Sequence, residues 1–275
     1  MNNEPSLYNH RSTCRLCDSV ALTKVFALTP TPPANAFVPK EQLDLVQPTF
    51  PLELFFCEDC AHLQLLDVVS PAELFRNYVY VSGTSASFVK HFEDYASTCS
   101  AKFKLSPGNL VVDIGSNDGT LLKFFQDKNL NVLGIDPARA IAKEASENGI
   151  ETWPDFFDKA IAEKIIQEKG AASLITANNV FAHADDLAGI TQNIKSLLTP
   201  DGVFIFEVSY LGDVYEDTLF DTIYHEHVAY HSVIPLVKFF KSKGMDFFAT
   251  ERIPSHGGSL RGMVQLKGGP HQADG

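Results

Sequence analysis

The spacing of hydrophobic and polar residues changes character along the chain. From Asn109 onward, short apolar runs alternate with helical ones. LVVDIG is followed by a helix from Asp118 to about Asp127, NVLGID, a helix over Ala138 to Asn148 and the short segment GIETW. Then come a helix near Asp158 to Lys169, ASLITAN, a helix over Asp185 to Leu198, and VFIFEV. Four or five βα units in succession predict an α/β fold, a doubly wound Rossmann-like parallel sheet. From Thr84 to Phe103, Phe88, Phe92, Tyr95, Cys99 and Phe103 recur at three- and four-residue steps between charged positions, which predicts an amphipathic helix. Residues 209–230, rich in Tyr, His, Asp and Glu without a period, read as a long functional loop. A helix near Val233 to Lys243 and strands near Met245 to Arg252 and Leu260 to Leu266 follow.

The first 70 residues differ. They hold four of the five cysteines and 7 of the 15 prolines, with short strand-like runs only at Pro51 to Phe56 and His62 to Leu66. A segment with so little core of its own needs a metal. Cys14-Arg-Leu-Cys17 and Cys57-Glu-Asp-Cys60 are two CxxC turns, and four thiolates close a tetrahedral, structural zinc site with no open position. Cys99 falls on the apolar stripe of its helix and reads as core, and His62 is expected to pack beside the zinc site.

Charge narrows the partners. With 22 basic and 34 acidic residues the net charge is −12, which provides no general attraction to phosphate backbones or anionic lipid, so neither nucleic acid nor membrane is expected as a partner. The N-terminus lacks a basic and an apolar signal region, and no stretch approaches a membrane span, so a cytoplasmic protein is expected.

Val111-Val112-Asp113-Ile114-Gly115-Ser116-Asn117-Asp118-Gly119 is an apolar strand running into a glycine turn that opens a helix, and Asp136-Pro137 ends the next strand. In a doubly wound sheet such a turn lets backbone approach a ligand, and an acid on the second strand accepts from ribose hydroxyls. The dinucleotide pattern GxGxxG does not fit, because Asn117 and Thr120 stand where it needs glycine. The spacing resembles the DxGxxxG loop of class I methyltransferases, which bind S-adenosylmethionine. Asn178 and Asn179 fall at the same sheet edge, and Phe156 or Phe157 is placed to flank an adenine.

Tyr224-His225-Glu226-His227 lies beyond another strand end. A histidine takes a proton near neutral pH, and a neighbouring carboxylate can orient it. His183 is also placed beyond a strand end. A catalytic metal is the weaker reading, since HEH lacks the one-turn offset that puts two imidazoles on one helix face.

The ordered set CRLC, FFCEDCAHLQL, VDIGSNDGTLL, GIDPA, NNVFAHADDL, DTIYHEHVAY and SHGGSLRG resembles the sugar C-methyltransferase family from Cys14 to Arg261. That resemblance implies a zinc-binding domain over 1–70, a helical linker over 71–108, a cofactor-binding methyltransferase domain over 109–230 and, over 231–275, the start of a truncated C-terminal domain. It implies carbon methylation, at C3, of a nucleotide-linked 4-keto sugar. His227 would remove the α-proton, Glu226 would orient or assist it, Tyr224 and His183 would contact the keto sugar, and Tyr78 or Tyr80 would reach the sugar from the linker. Oxygen or nitrogen methylation of another small molecule, or an inactive zinc-stabilised binding module, stand as alternatives. A monomer or weak homo-oligomer is expected.

Overall fold

The computed structural model describes residues 7–76, 78–255 and 257–273; His256 of the SHGGSLRG run lies outside them. In chain order it begins with β1 (Tyr8–His10), β2 (Leu22–Thr31), β3 (Phe50–Cys57), β4 (Leu63–Leu65) and β5 (Asp67–Val69), then α1 (Pro71–Phe75) and α2 (Ala86–Lys102). The alternating units follow: β6 (Leu110–Ile114), α3 (Thr120–Gln126), β7 (Asn131–Ile135), α4 (Arg139–Glu147), β8 (Thr152–Trp153), α5 (Lys159–Glu168), β9 (Ala172–Asn178), α6 (Leu187–Leu197) and β10 (Leu198–Ser209). Last are α7 (Leu211–Glu216), β11 (Ala229–Tyr230), α8 (Val233–Ser242), β12 (Met245–Ile253) and β13 (Ser259–Leu266).

Seven strands form the main sheet in the order β12-β13-β10-β9-β6-β7-β8. Five of them, β6 to β10, run parallel. All five residues of β6 are buried, which explains their unbroken apolar run. Successive residues alternate faces. Val111, Leu174, Val203 and Ile205 meet Phe92 and Tyr95 of α2 and Leu122 and Phe125 of α3. On the other face Val112, Ile175, Phe204 and Phe206 meet Ile165 of α5, Ile194 of α6 and Phe240 of α8. Side-chain caps start the helices: Phe88 N donates to Ser85 Oγ, Ile161 N to Asp158 and Gly189 N to Asp186.

Two expectations change. The sheet is mixed, because β13 pairs antiparallel with both β10 and β12, the chain reversing through Gly257 and Gly258 at φ +78 and +122. Residues 245–266, expected to open a separate C-terminal domain, therefore complete this sheet. The 209–230 stretch is also more ordered than a loop. It carries α7 and ends in β11, which pairs with β4 in a four-stranded sheet of order β11-β4-β3-β2. Tyr230 completes the small core of Leu52, Leu54 and Leu65. The cysteine turns likewise pack into the main core through Cys14, Leu16, Cys57 and Cys60. Among the described residues no helix is long and apolar enough to cross a membrane.

Candidate functional site

The two CxxC turns close on each other. Backbone bonds from Asp18 N to the Cys14 carbonyl and from Ala61 N to the Cys57 carbonyl fold each turn, with Asp18 and Ala61 at φ +59 and +64. Cys14 and Cys60 Sγ are 3.6 Å apart, as are those of Cys17 and Cys57, and all four lie within 4.8 Å of one another. Zinc–sulfur bonds of about 2.3 Å give a tetrahedron with edges of about 3.8 Å, so the set fits zinc with every position filled by protein.

The carboxyl ends of the parallel strands open into a cavity of about 1250 Å³. Asp113, Gly115, Ser116, Asn117, Asp136, Pro137, Phe156, Phe157, Asn178 and Asn179 line one part of it; Tyr78, Tyr80, His183, Tyr224 and His227 line another. Asp113 accepts from Thr176 Oγ1 at 2.6 Å, and burial pushes its carboxyl up to about 7 despite that bond. Gly115 has φ +70, and a Cβ there would stand 2.3 Å from Val180 Cγ2, so only glycine fits. Asp136 accepts from Asn117 N and Ala138 N, both at 2.8 Å, and each oxygen keeps a lone pair for a hydroxyl. Both amide atoms of Asn178 and the Ser116 hydroxyl are buried at this edge without a protein partner. Buried polar groups need a hydrogen-bonding partner, water or ligand, and the ribose hydroxyls of a nucleoside suit these.

Asp118 and Gly119, predicted to hold the cofactor, stand behind the cavity wall. Asp118 accepts from Gly83 N and from Thr120, and Gly119 packs its bare α-carbon on Ile150. Asn117 does line the cavity, but its side chain accepts from Ser82 N and donates to the Tyr80 carbonyl. The glycine turn thus fastens the segment that carries Tyr78 and Tyr80.

Two hydrogen bonds to described residues hold the imidazole of His227. Nδ1 lies 2.8 Å from the Thr222 carbonyl, which can only accept, so the proton sits on Nδ1 and Nε2 is the basic nitrogen. The Tyr224 hydroxyl lies 3.0 Å from Nε2 and donates to it. Burial and the Glu226 charge hold that hydroxyl in its protonated form by raising its pKa. His183 stacks on His227 at 5.1 Å and on Phe75 at 5.6 Å. Burial first, then the neighbouring His227, drives its pKa well below the ordinary histidine value, and its Nε2 is buried without a protein partner.

Glu226 makes its hydrogen bonds elsewhere than to His227. Among the described residues, the hydrogen bonds to His227 come from Thr222 and Tyr224, while Glu226 accepts from Asn35 Nδ2 at 2.6 Å and from the Tyr78 hydroxyl at 3.1 Å. Its carboxylate borders a smaller cavity of about 180 Å³ shared with those two residues. Burial raises its pKa and the two hydrogen bonds oppose the rise. Asn35 and Thr222 escaped the sequence reading: one lies in a Pro-rich stretch without a pattern, and the other acts through its carbonyl, which any residue has.

A family model described as "Putative zinc binding domain" matches residues 14–75, and one described as "Methyltransferase domain" matches residues 90–245. The C-methyltransferase NovU of Streptomyces niveus is 34% identical over 247 residues, covering 90% of this chain and 59% of that protein. This chain thus spans less than two thirds of that relative's length. A ubiquinone biosynthesis O-methyltransferase of Burkholderia pseudomallei is 25% identical over 162 residues, 54% of this chain and 70% of that one. Among solved structures, the plantazolicin methyltransferase BamL in complex with a triazolic desmethylPZN analog and SAH aligns with a TM-score of 0.52 at 15% identity, over 66% of this chain and 86% of that one. An S-adenosylmethionine-dependent methyltransferase from Clostridium acetobutylicum aligns at 0.50 and 14%, over 66% and 92%. The structural likenesses establish the class I fold.

Proposed function

The chain belongs to the S-adenosylmethionine-dependent methyltransferase family, with a zinc-binding domain ahead of the catalytic one, and from that premise we propose that it methylates a ring carbon, C3, of a nucleoside-diphosphate 4-keto sugar. One observation carries this reading: His227 presents a basic Nε2, its tautomer fixed by the Thr222 carbonyl, into the cavity that Asp136 and Asn178 also line. The similarity to a C-methyltransferase supports carbon as the acceptor.

A carbon acceptor must first become nucleophilic. His227 Nε2 takes the proton from the carbon beside the keto group, and the C–H electron pair becomes an enolate. Tyr224, still protonated, gives up its bond to Nε2 and donates to the enolate oxygen. The neutral His183 presents Nε2 to the same sugar. S-adenosylmethionine, held by Asp136, Asn178 and the Gly115 turn, would supply an electrophilic methyl from its sulfonium to the enolate carbon and be left as the thioether. The imidazolium then returns its proton to water. Asp113, Gly115, Ser116, Asn117, Asp136, Pro137, Phe156, Asn178 and Asn179 hold the cofactor side, with Asp118 and Gly119 supporting the turn. Tyr78 and Tyr80 close over the sugar, and zinc on Cys14, Cys17, Cys57 and Cys60 is structural.

Oxygen transfer is the second reading, favoured by the likeness to the ubiquinone biosynthesis enzymes; His227 would then take a hydroxyl proton. Methyl-labelled S-adenosylmethionine and a 4-keto sugar nucleotide separate the two by NMR of the product. A methyl carbon bonded to the ring supports the proposal, and a methyl ether overturns it.

A further inference from the structure

Arg15 sits between two zinc-ligand positions, yet its side chain is wholly shielded from solvent and aimed toward the catalytic loop. Its Nη1 donates to the Gln64 side chain at 3.0 Å and to the carbonyl of Val228, the residue after His227, at 2.5 Å. Nη2 donates to the Leu65 carbonyl at 2.9 Å and pairs with Asp185 at 3.3 Å, two residues after His183.

The side chain therefore joins four pieces of chain: the first cysteine turn, β4 with the residue after it, the end of the His227 loop and the segment that follows His183. Two further bonds complete the joint. Leu65 N also donates to the Val228 carbonyl, and Ala229 N donates to the carbonyl of Ala182. The stacked His183 and His227 thus have their backbones braced against one another through the zinc-binding turn. Burying the Arg15 cation is costly, and the Asp185 pair and the Val228 and Leu65 carbonyls offset the cost only while these pieces of chain keep their places.

We propose that Arg15 is a positioning residue for methyl transfer: it sets the spacing of His183 and His227 and thereby makes the integrity of the cysteine turn a condition for catalysis. This rests on the reading of His227 as the base, so one arm of the test needs no substrate. R15K keeps the charge and loses the fork; R15M removes both and keeps the volume. The substrate-free arm records the imidazole ¹H–¹⁵N signals of His183 and His227, assigned with H183Q and H227Q, in zinc-loaded protein whose metal content and S-adenosylhomocysteine affinity are measured alongside.

The expected result is that both variants retain zinc and bind S-adenosylhomocysteine within about twofold, that the His183 and His227 signals shift while that of exposed His10 stays, and that kcat falls about 100-fold in R15M with KM nearly unchanged, since a misplacement near 1 Å costs about that much. R15K should retain more turnover than R15M. Unmoved His183 and His227 signals, or a change confined to KM, overturn the proposal. Should R15M fail to fold, R15K carries both readouts on the same terms. An inactive wild type whose His signals still respond to R15M refutes the substrate assignment and leaves the brace standing.

Discussion

His231 follows β11, at the joint where the 209–230 segment rejoins the main sheet. It is fully buried, its ring stacked 5.5 Å from His62 on one side and 5.5 Å from Phe181 on the other. Nε2 donates to the Phe181 carbonyl at 3.4 Å, and Nδ1 has no protein partner. Burial, with smaller contributions from the charges of Arg15 and His227, lowers its pKa from 6.5 to about 4. The unfolded chain therefore takes up this proton before the native protein does. The stability it contributes is complete above pH 6.5 and is lost as pH falls toward 4. Between pH 6.5 and 5 the loss is about 2 kcal/mol, at 1.36 kcal/mol for each pH unit.

His231→Phe keeps a stacked ring and removes both the titration and the hydrogen bond. At pH 8 the variant should be less stable by about 1 kcal/mol, the worth of that bond. At pH 5 it should be more stable than wild type by about 1 kcal/mol. Zinc release in acid and the titration of buried groups remote from His231 affect both proteins alike, while His62, lowered first by burial and less by the His231 charge, keeps most of its shift in the variant. Urea unfolding of the two proteins at pH 8, 6.5, 5.5 and 5 reads the difference directly. A gap that stays constant with pH, or widens against the variant in acid, refutes the argument that His231 is buried as the neutral base.

Three other outcomes follow from the geometry. Gly115→Ala forces a side chain onto Val180 at φ +70, costing about 1–2 kcal/mol in backbone strain and weakening S-adenosylhomocysteine binding at least tenfold by calorimetry; unchanged affinity would place the cofactor elsewhere. Tyr78→Phe removes a donor to the Glu226 carboxylate, so its pKa should rise further, read by the pH dependence of the Glu226 carboxyl ¹³C shift; an unmoved titration would refute the Tyr78–Glu226 hydrogen bond. Chelating zinc should expose the amides of β3, β4 and β11 to hydrogen exchange while β6 and β9 stay protected, since only the former share a sheet with the cysteine turns; loss of protection in β6 at the same rate would show one cooperative unit.

Much of this architecture is legible in the residues. The apolar runs of β6, β7, β9 and β10 reveal themselves because buried parallel strands need no polar face, and the paired CxxC turns announce zinc by spacing alone. Leu22–Thr31 carries no strand signature, because its residues are almost all exposed or half-exposed and neither face supplies a hydrophobic alternation. The antiparallel β12–β13 pair was read as strands, yet nothing in a strand's own pattern says which sheet it will join. Asn117, Asp118 and Gly119 illustrate the limit of motif reading: the loop pattern locates the turn, while the hydrogen bonds decide that Asp118 supports a neighbouring segment and does not face the cavity. The bridge from Asn35 to Glu226 spans 191 positions and has no local signature.

Proton abstraction from carbon is the claim on which the account turns, and it can be observed without methyl transfer. A nucleoside-diphosphate 4-keto sugar incubated with the protein in deuterated water, with S-adenosylhomocysteine and no methyl donor, should gain one deuterium beside the keto group. His227→Gln should slow that uptake at least a hundredfold while binding S-adenosylhomocysteine as the wild type does. Product labelled at the background rate by the wild type, or at the wild-type rate by His227→Gln, would contradict the assignment of His227 as the carbon base.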